Sequence, residues 1–237
     1  MKTWMLLGGG LLGLLIAALA ALYLVAHPAA KAAGSSSAAM QPEDVAALRA
    51  RAEAGQARAQ VQLGRLCAAG QFVTNSYPEA AKWYAKAAQQ GDPEGEFALG
   101  ELCDAGQGVP KDTARALELY RKAAEQGYPG AQYALAFMYE AGRGLAVDQA
   151  AASHWFQLAA EGGEPLAQYD LGQRYDLGVG VPADRIEAYK WVALAAAQGQ
   201  ADATDRLKKI EARMTTAELR EAKRRVAAFS PRTVGYQ

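Results

Sequence analysis

Histidine is nearly missing from this chain: there are two in 237 residues, His27 and His154. That withholds the commonest metal ligand and general base. His154 also shares its place in a repeating frame, set out below, with Lys82, Glu118 and Lys190, the company of a solvated outer position. Cysteine is as scarce, with only Cys67 and Cys103, too few for a disulfide framework. No H-E-x-x-H, G-x-S-x-G or paired C-x-x-C occurs, so no catalytic, metal-binding or cofactor-binding residues are expected. Charge of one sign is missing too, since 25 Lys and Arg balance 25 Asp and Glu. Non-specific binding to phosphates needs a basic surplus, so nucleic acid is not an expected partner. The balance is uneven, because residues 206–225 carry eight bases against three Glu, a basic end that leaves the remainder acidic.

What the chain has instead is a period. Leu63, Leu99, Leu135 and Leu171 stand 36 residues apart. The same spacing separates Gly70, Gly106, Gly142 and Gly178, then Trp83, Leu119, Trp155 and Trp191, and finally Gly91, Gly127, Gly163 and Gly199. Several landmarks keeping one period through four copies are the signature of an array, and fold reasoning starts there. With position 1 at Ala57, Pro93, Pro129 and Pro165, apolar residues fall at positions 3, 7, 10 and 11, which predicts an amphipathic helix. A second apolar stripe opens at Ala80, Ala116, Ala152 and Ala188 and predicts a second helix, with glycines ending both. Small residues at position 8, namely Gly64, Gly100, Ala136 and Gly172, let the helices approach to roughly 8–10 Å. The expected fold class is therefore all-α, an α/α solenoid of about four helix pairs. Cys67 and Cys103 both occupy position 11. Neighbouring equivalents lie roughly 10 Å apart, beyond the roughly 7 Å that a disulfide tolerates, so both are expected as free core thiols.

The run A-x-Y-x-L-x-x-x-Y-x-x-G-x-G-x-x-x-D, followed by W-[YF] and A-A-E-x-G, resembles the Sel-1-like repeat, a relative of the tetratricopeptide repeat with a longer inter-helix loop. Gly106-Gln107-Gly108-Val109, Gly142-Arg143-Gly144-Leu145 and Gly178-Val179-Gly180-Val181 match that loop, each followed by Asp112, Asp148 or Asp184. The first copy departs, with Phe72 for the second glycine and Ser76 for the aspartate. These loops follow helices, not strands, so their glycines are turn residues and not a dinucleotide fingerprint.

If positions 3, 7, 8, 10 and 11 pack inside, positions 2, 5, 9 and 12 share the opposite face of each first helix. The resemblance to tetratricopeptide proteins implies that this face lines a concave groove. Its candidate residues are Arg65, Phe97, Glu101, Asp104, Tyr133, Phe137, Glu140, Tyr169, Gln173 and Asp176, an aromatic stripe beside an acidic one. Such a groove suits a protein or peptide ligand, rings supplying anchor area and carboxylates selecting basic groups. Position 5 can equally be core packing against the adjacent helix, and both readings stay open at this level. The resemblance implies a protein-interaction scaffold or adaptor without catalysis. A glycan- or peptidoglycan-associated scaffold is one alternative, and the other is a hydrolase on β-lactam-like substrates, which the lack of a nucleophile–base pair argues against.

Residues 5–26 form an uncharged run of 22, which as a helix spans about 33 Å and suffices for a bilayer. A single-pass membrane anchor over residues 1–26 is expected. The rival is a cleaved signal, with Ala30-Lys31-Ala32 as the small-residue site and a secreted product. Lys2 before the run gives a slight bias toward an inside N-terminus, placing the repeats outside the cytoplasm, in the periplasm if the source is bacterial. Residues 27–41 read as a linker, and 42–56 as an N-terminal capping helix. Four repeats follow over 57–92, 93–128, 129–164 and 165–200. A half repeat and capping helix fill 201–230, opened by a capping box at Thr215-Thr216-Ala217-Glu218, and 231–237 is a tail.

Overall fold

The structure, a computed structural model, describes residues 42–70 and 76–232. The anchor expected over residues 5–26 and the linker over 27–41 lie outside the described residues, as does Phe72. Among the described residues no helix is long and apolar enough to cross a membrane.

Eleven helices follow one another there. A single helix α1 (Pro42–Glu53) precedes four pairs: α2 (Ala57–Ala69) with α3 (Tyr77–Gln89), α4 (Pro93–Ala105) with α5 (Thr113–Glu125), α6 (Pro129–Ala141) with α7 (Gln149–Glu161), and α8 (Pro165–Leu177) with α9 (Arg185–Ala197). Two shorter helices, α10 (Ala203–Glu211) and α11 (Thr216–Ala227), close the end. Each of α1 to α9 packs on the helix that follows it, and both α10 and α11 lie against α9.

The punctuation of each pair is local chemistry. Proline at the first helical position of α4, α6 and α8 supplies a φ already suited to a helix where its missing N–H costs nothing. The glycines after the first helices adopt left-handed φ values of 65–71°, a region that a side chain disfavours. Ser76, Asp112, Asp148 and Asp184 then cap the second helices, each side chain accepting from a backbone N–H of the first turn. Ser76 in the divergent first copy thus does the work of the aspartates. The capping box at α11 is present in both directions, Glu218 N–H to Thr215 Oγ1 at 3.2 Å and Thr215 N–H to Glu218 Oε2 at 2.8 Å.

The core runs along the array between the two rows of helices. Leu63, Leu135 and Leu171 are fully buried and Leu99 is 4% exposed, each worth roughly 1.5–3 kcal/mol of transfer. Position 8 is where the helices of a pair touch. A methyl added at Gly64 or Gly100 would sit 2.6 or 2.8 Å from the ring of Tyr84 or Tyr120, and at Gly172 it would sit 2.5 Å from Val192. The second loop glycine has another duty. A methyl on Gly108 would lie 2.2 Å from the backbone of Tyr77, and one on Gly180 would lie 2.1 Å from the Gln149 carbonyl, so these loops press on the start of the preceding second helix. Cys67 and Cys103 are free and buried, and burial pushes both thiols up.

Position 4 carries a polar ladder through this core. Gln60, Gln132 and Gln168 donate to the carbonyls of Ala52, Ala124 and Ala160 at 3.0–3.2 Å, tying each repeat to the helix before it. Gln60 and Gln168 accept in turn from Gln90 and Gln198 at 2.7 and 2.9 Å. The second repeat has Glu96 instead, 5% exposed and accepting from Gln126 at 2.8 Å. Burial raises its carboxyl, with Lys122 and Gln126 opposing. Position 10 needs a correction. It is apolar in three copies, but the fourth places Arg174 there, 4% exposed.

Candidate protein-binding face

The first helices α2, α4, α6 and α8 present the positions expected to line a groove. At position 5, Phe97 is 8% exposed and Tyr133 9%. Phe97 packs against Tyr120 and Tyr128, with centroids at 5.7 and 5.2 Å. Tyr133 meets Phe137 and Phe156 edge-on at 4.9 and 5.6 Å, and Phe137 meets Phe156 at 5.4 Å. Both position 5 rings are thus engaged in packing between helices. Phe137, Tyr169 and Gln173 are half-buried and keep part of their surface in solvent.

The acidic stripe behaves differently from a free row of carboxylates. Asp104 accepts from Arg143 at 2.6 Å, Glu140 from Arg174 at 2.5 Å, and Asp176 from Arg213 at 2.6 Å with Arg206 at 3.3 Å. Arg65 lies against Glu94 of the next repeat. Every one of these arginine–carboxylate pairs crosses a repeat boundary. The expected selection of basic ligand groups by Asp104, Glu140 and Asp176 is therefore already occupied by the chain's own arginines. The reason is local: the partner arginines occupy loop, core and fifth-unit positions that no reading of one helix face includes.

The third boundary is the most elaborate. The Arg174 guanidinium donates to Glu140 Oε1, to Ser153 Oγ at 2.9 Å and to Gln149 Oε1 at 3.2 Å, and stacks on Phe156 with its carbon 4.8 Å from the ring centroid. Beside it Tyr133 donates its hydroxyl to Asp170 Oδ2 at 3.0 Å. Burial pushes Asp170 up to about 7, the Tyr133 hydrogen bond opposing and Glu140 adding to the shift. Burial also pushes Glu101 up to about 8, against the pull of Arg65 and with a contribution from Asp104. Asp170, Arg174, Arg143, Arg206 and Arg213 are the face's residues that sequence reasoning missed, and Glu94, at position 2 of the expected face, was not singled out. Arg174 had a signal, being a base at an otherwise apolar position. Among the described residues no cluster of three or more His, Cys, Asp or Glu side chains is placed to hold a metal ion.

The repeat model described as Sel1 repeat matches residues 57–92, 93–128, 129–164 and 165–200. Among solved structures, a Sel1 repeat protein from Oxalobacter formigenes is 34% identical with a TM-score of 0.66, over 71% of this chain and 49% of that one. The protein c5321, a protective antigen of uropathogenic Escherichia coli strains with an SLR fold, is 25% identical with a TM-score of 0.55, over 90% of this chain and 52% of that one. An immunity protein from Pseudomonas aeruginosa, Pa5087, is 19% identical with a TM-score of 0.51, over 89% and 83% of the two chains, and shares the fold. The chain thus spans about half the length of the first two. No curated protein is a significant match.

Proposed function

The chain belongs to the Sel1 repeat family, and from that premise we propose that it is a membrane-tethered scaffold whose first-helix face binds an extended segment of a partner protein. The observation that carries this reading is the row Phe137, Gln173 and Tyr169 on α6 and α8, rings half-buried and held by their neighbours. Fixed aromatic surface beside polar groups is the kind of site where a few residues supply most of a binding energy. Because Asp104, Glu140 and Asp176 are tied to arginines, recognition rests on ring contacts more than on charge, and binding depends weakly on salt.

The tether is residues 5–26, supported by the length and apolarity of that run. The repeats then lie outside the cytoplasm, and the bacterial sources of the similar structures favour the periplasm. Extraction of native membranes with carbonate tests the tether: the chain stays with the membrane, whereas a washed-off product beginning near Ala33 means a cleaved signal. For the face, a photo-crosslinking residue replaces Gln173 on α8 or, as a control, Arg121 on the outer side of α5. Capture of the same partner from both positions would contradict the assignment.

A further inference from the structure

Position 9 of the first helices runs Arg65, Glu101, Phe137 and Gln173 through the four repeats. Its first member is committed, since Arg65 of α2 lies against Glu94 of α4. The neighbouring carboxylates are committed as well, Asp104 to Arg143, Glu140 to Arg174, and Asp176 to Arg206 and Arg213. Glu101 differs from them. It is half-buried on α4 and makes no hydrogen bond or ion pair among the described residues. Gln173 on α8 is half-buried too and likewise makes no hydrogen bond among the described residues. The ring of Phe137 therefore has one such polar side chain on either side of it in the row, one repeat away in each direction.

A carboxyl in this setting favours its acid form. Leaving water costs the ionised group far more than the neutral one, and the groups facing Glu101 do not make up the loss. The Arg65 guanidinium on α2 pulls toward ionisation, but it is exposed and tied to Glu94. Asp104, on the same helix as Glu101, pushes the other way. On α3, Tyr84 is buried and burial holds its hydroxyl neutral. Burial accordingly leaves the Glu101 carboxyl at about 8, so at neutral pH it carries its proton. In that form it offers a donor beside an acceptor, as the Gln173 carboxamide does. An extended segment covers roughly 3.3 Å per residue and neighbouring helices stand roughly 8–10 Å apart. A segment resting a side chain on Phe137 thus passes Glu101 and Gln173 about three residues to either side. Its main-chain N–H and C=O groups need partners there once water is displaced.

We infer that Glu101 takes part in partner binding as an uncharged acid, its carboxyl proton donated to a main-chain carbonyl of the extended segment held on Phe137, while Gln173 makes the matching contact on the other side of that ring. The inference rests on the reading of the first-helix face given above and supplies its polar half. Because the contact is to the main chain, it is indifferent to the partner's charge and leaves the salt dependence small. It is sensitive to pH in one direction. The donor is present below about 8 and is lost as pH rises through that value, which leaves a half-buried carboxylate opposed to a carbonyl oxygen.

The test uses the full chain and the amidated peptide Ser-Thr-Phe-Ser-Thr-Val-Ser, carrying at its N-terminus a dye that does not titrate. The probe has no ionisable side chain, so any pH dependence of binding belongs to the protein. Affinity is expected to fall tenfold or more between about pH 7 and about pH 9.5. Glu101→Gln keeps the parental affinity at the lower pH and retains it at the higher one, and Glu101→Ala is weak at both. Asp170→Asn, which removes the other raised carboxyl of the face, leaves the loss in place. A carboxyl-carbon NMR titration reads Glu101 without any peptide, its midpoint expected at about 8 and its signal missing in Glu101→Gln. A midpoint at the ordinary 4.5 overturns the inference. So does a Glu101→Gln chain that binds no better than Glu101→Ala, or an affinity that rises with pH, the mark of a carboxylate taking a cation. Binding that is weakened by Phe137→Ala but indifferent to pH and to both Glu101 changes leaves the face standing and overturns the inference alone. Absence of saturable binding, or binding that ignores Phe137→Ala as well, overturns both.

Discussion

Two kinds of polar contact join neighbouring repeats, and they sit on different parts of the molecule. In the core, the glutamine ladder keeps a constant spacing: eight residues back to Ala52, Ala124 and Ala160, and 30 residues forward to Gln90, Gln126 and Gln198. On the first-helix face the ties keep none. Asp104 reaches Arg143 over 39 residues, Glu140 reaches Arg174 over 34, and Asp176 reaches Arg213 over 37. Where the ladder forms it keeps those offsets, lacking the backward bond at Glu96 and the forward one at Gln132, whereas the ties differ at each boundary. The difference also separates shared architecture from what is particular to this chain.

Substitutions that cut one kind of contact and spare the other break the comparison in measurable ways. The largest effect is expected at Arg174, where Arg174→Ala strands Glu140 and opens the core beside Phe156, for a loss of about 3 kcal/mol. Arg174→Leu restores the apolar residue of earlier copies and should cost much less. Chemical denaturation of both variants reads the difference, and equal losses would mean that the buried charge matters more than the packing. Next is the periodic helix contact at Gly100. Gly100→Leu drives a side chain into the Tyr120 ring and should cost about 1–3 kcal/mol, and an unchanged melting temperature would contradict close contact at position 8. The smallest effect runs the other way. Glu96→Gln completes the ladder by adding a donor for the Ala88 carbonyl and should stabilise by about 1 kcal/mol at neutral pH. The Glu96 carboxyl is raised in the fold, so its charge penalty is present at high pH and is relieved as pH falls toward the ordinary value near 4.5. The advantage of glutamine should therefore shrink on acidification, and a gain that is constant between pH 8 and pH 4 would show that Glu96 is not titrating against burial.

The same distinction explains what could be read before the structure. The helix pairs and the position 8 contacts were legible because each depends on residues at fixed offsets within one repeat, whereas the capping role of Asp112, Asp148 and Asp184, and the equivalence of Ser76 to them, emerged only from the structure. The capping box at Thr215 was legible from its fixed offset too. The state of the candidate face was not. Whether Asp104 or Asp176 is free depends on Arg143 and Arg213, and whether Tyr133 has a partner depends on Asp170, each supplied by the next unit at an offset that the period does not encode. The return of Phe229 and Arg232 onto α9 and α7 has no internal precedent at all, since only the last unit has such a segment.

The proposed function requires that rings on the first helices, and not the charges beside them, recognise a partner. The affinity of the partner captured at Gln173 for Phe137→Ala, set against the parent and against Arg121→Ala, tests it most directly, each variant first shown to keep its helical signal. The expected result is a loss of about 2 kcal/mol, roughly 30-fold in Kd, for Phe137→Ala alone, with little change between low and moderate salt. Parental affinity in Phe137→Ala, or a steep salt dependence in the parent, would contradict it.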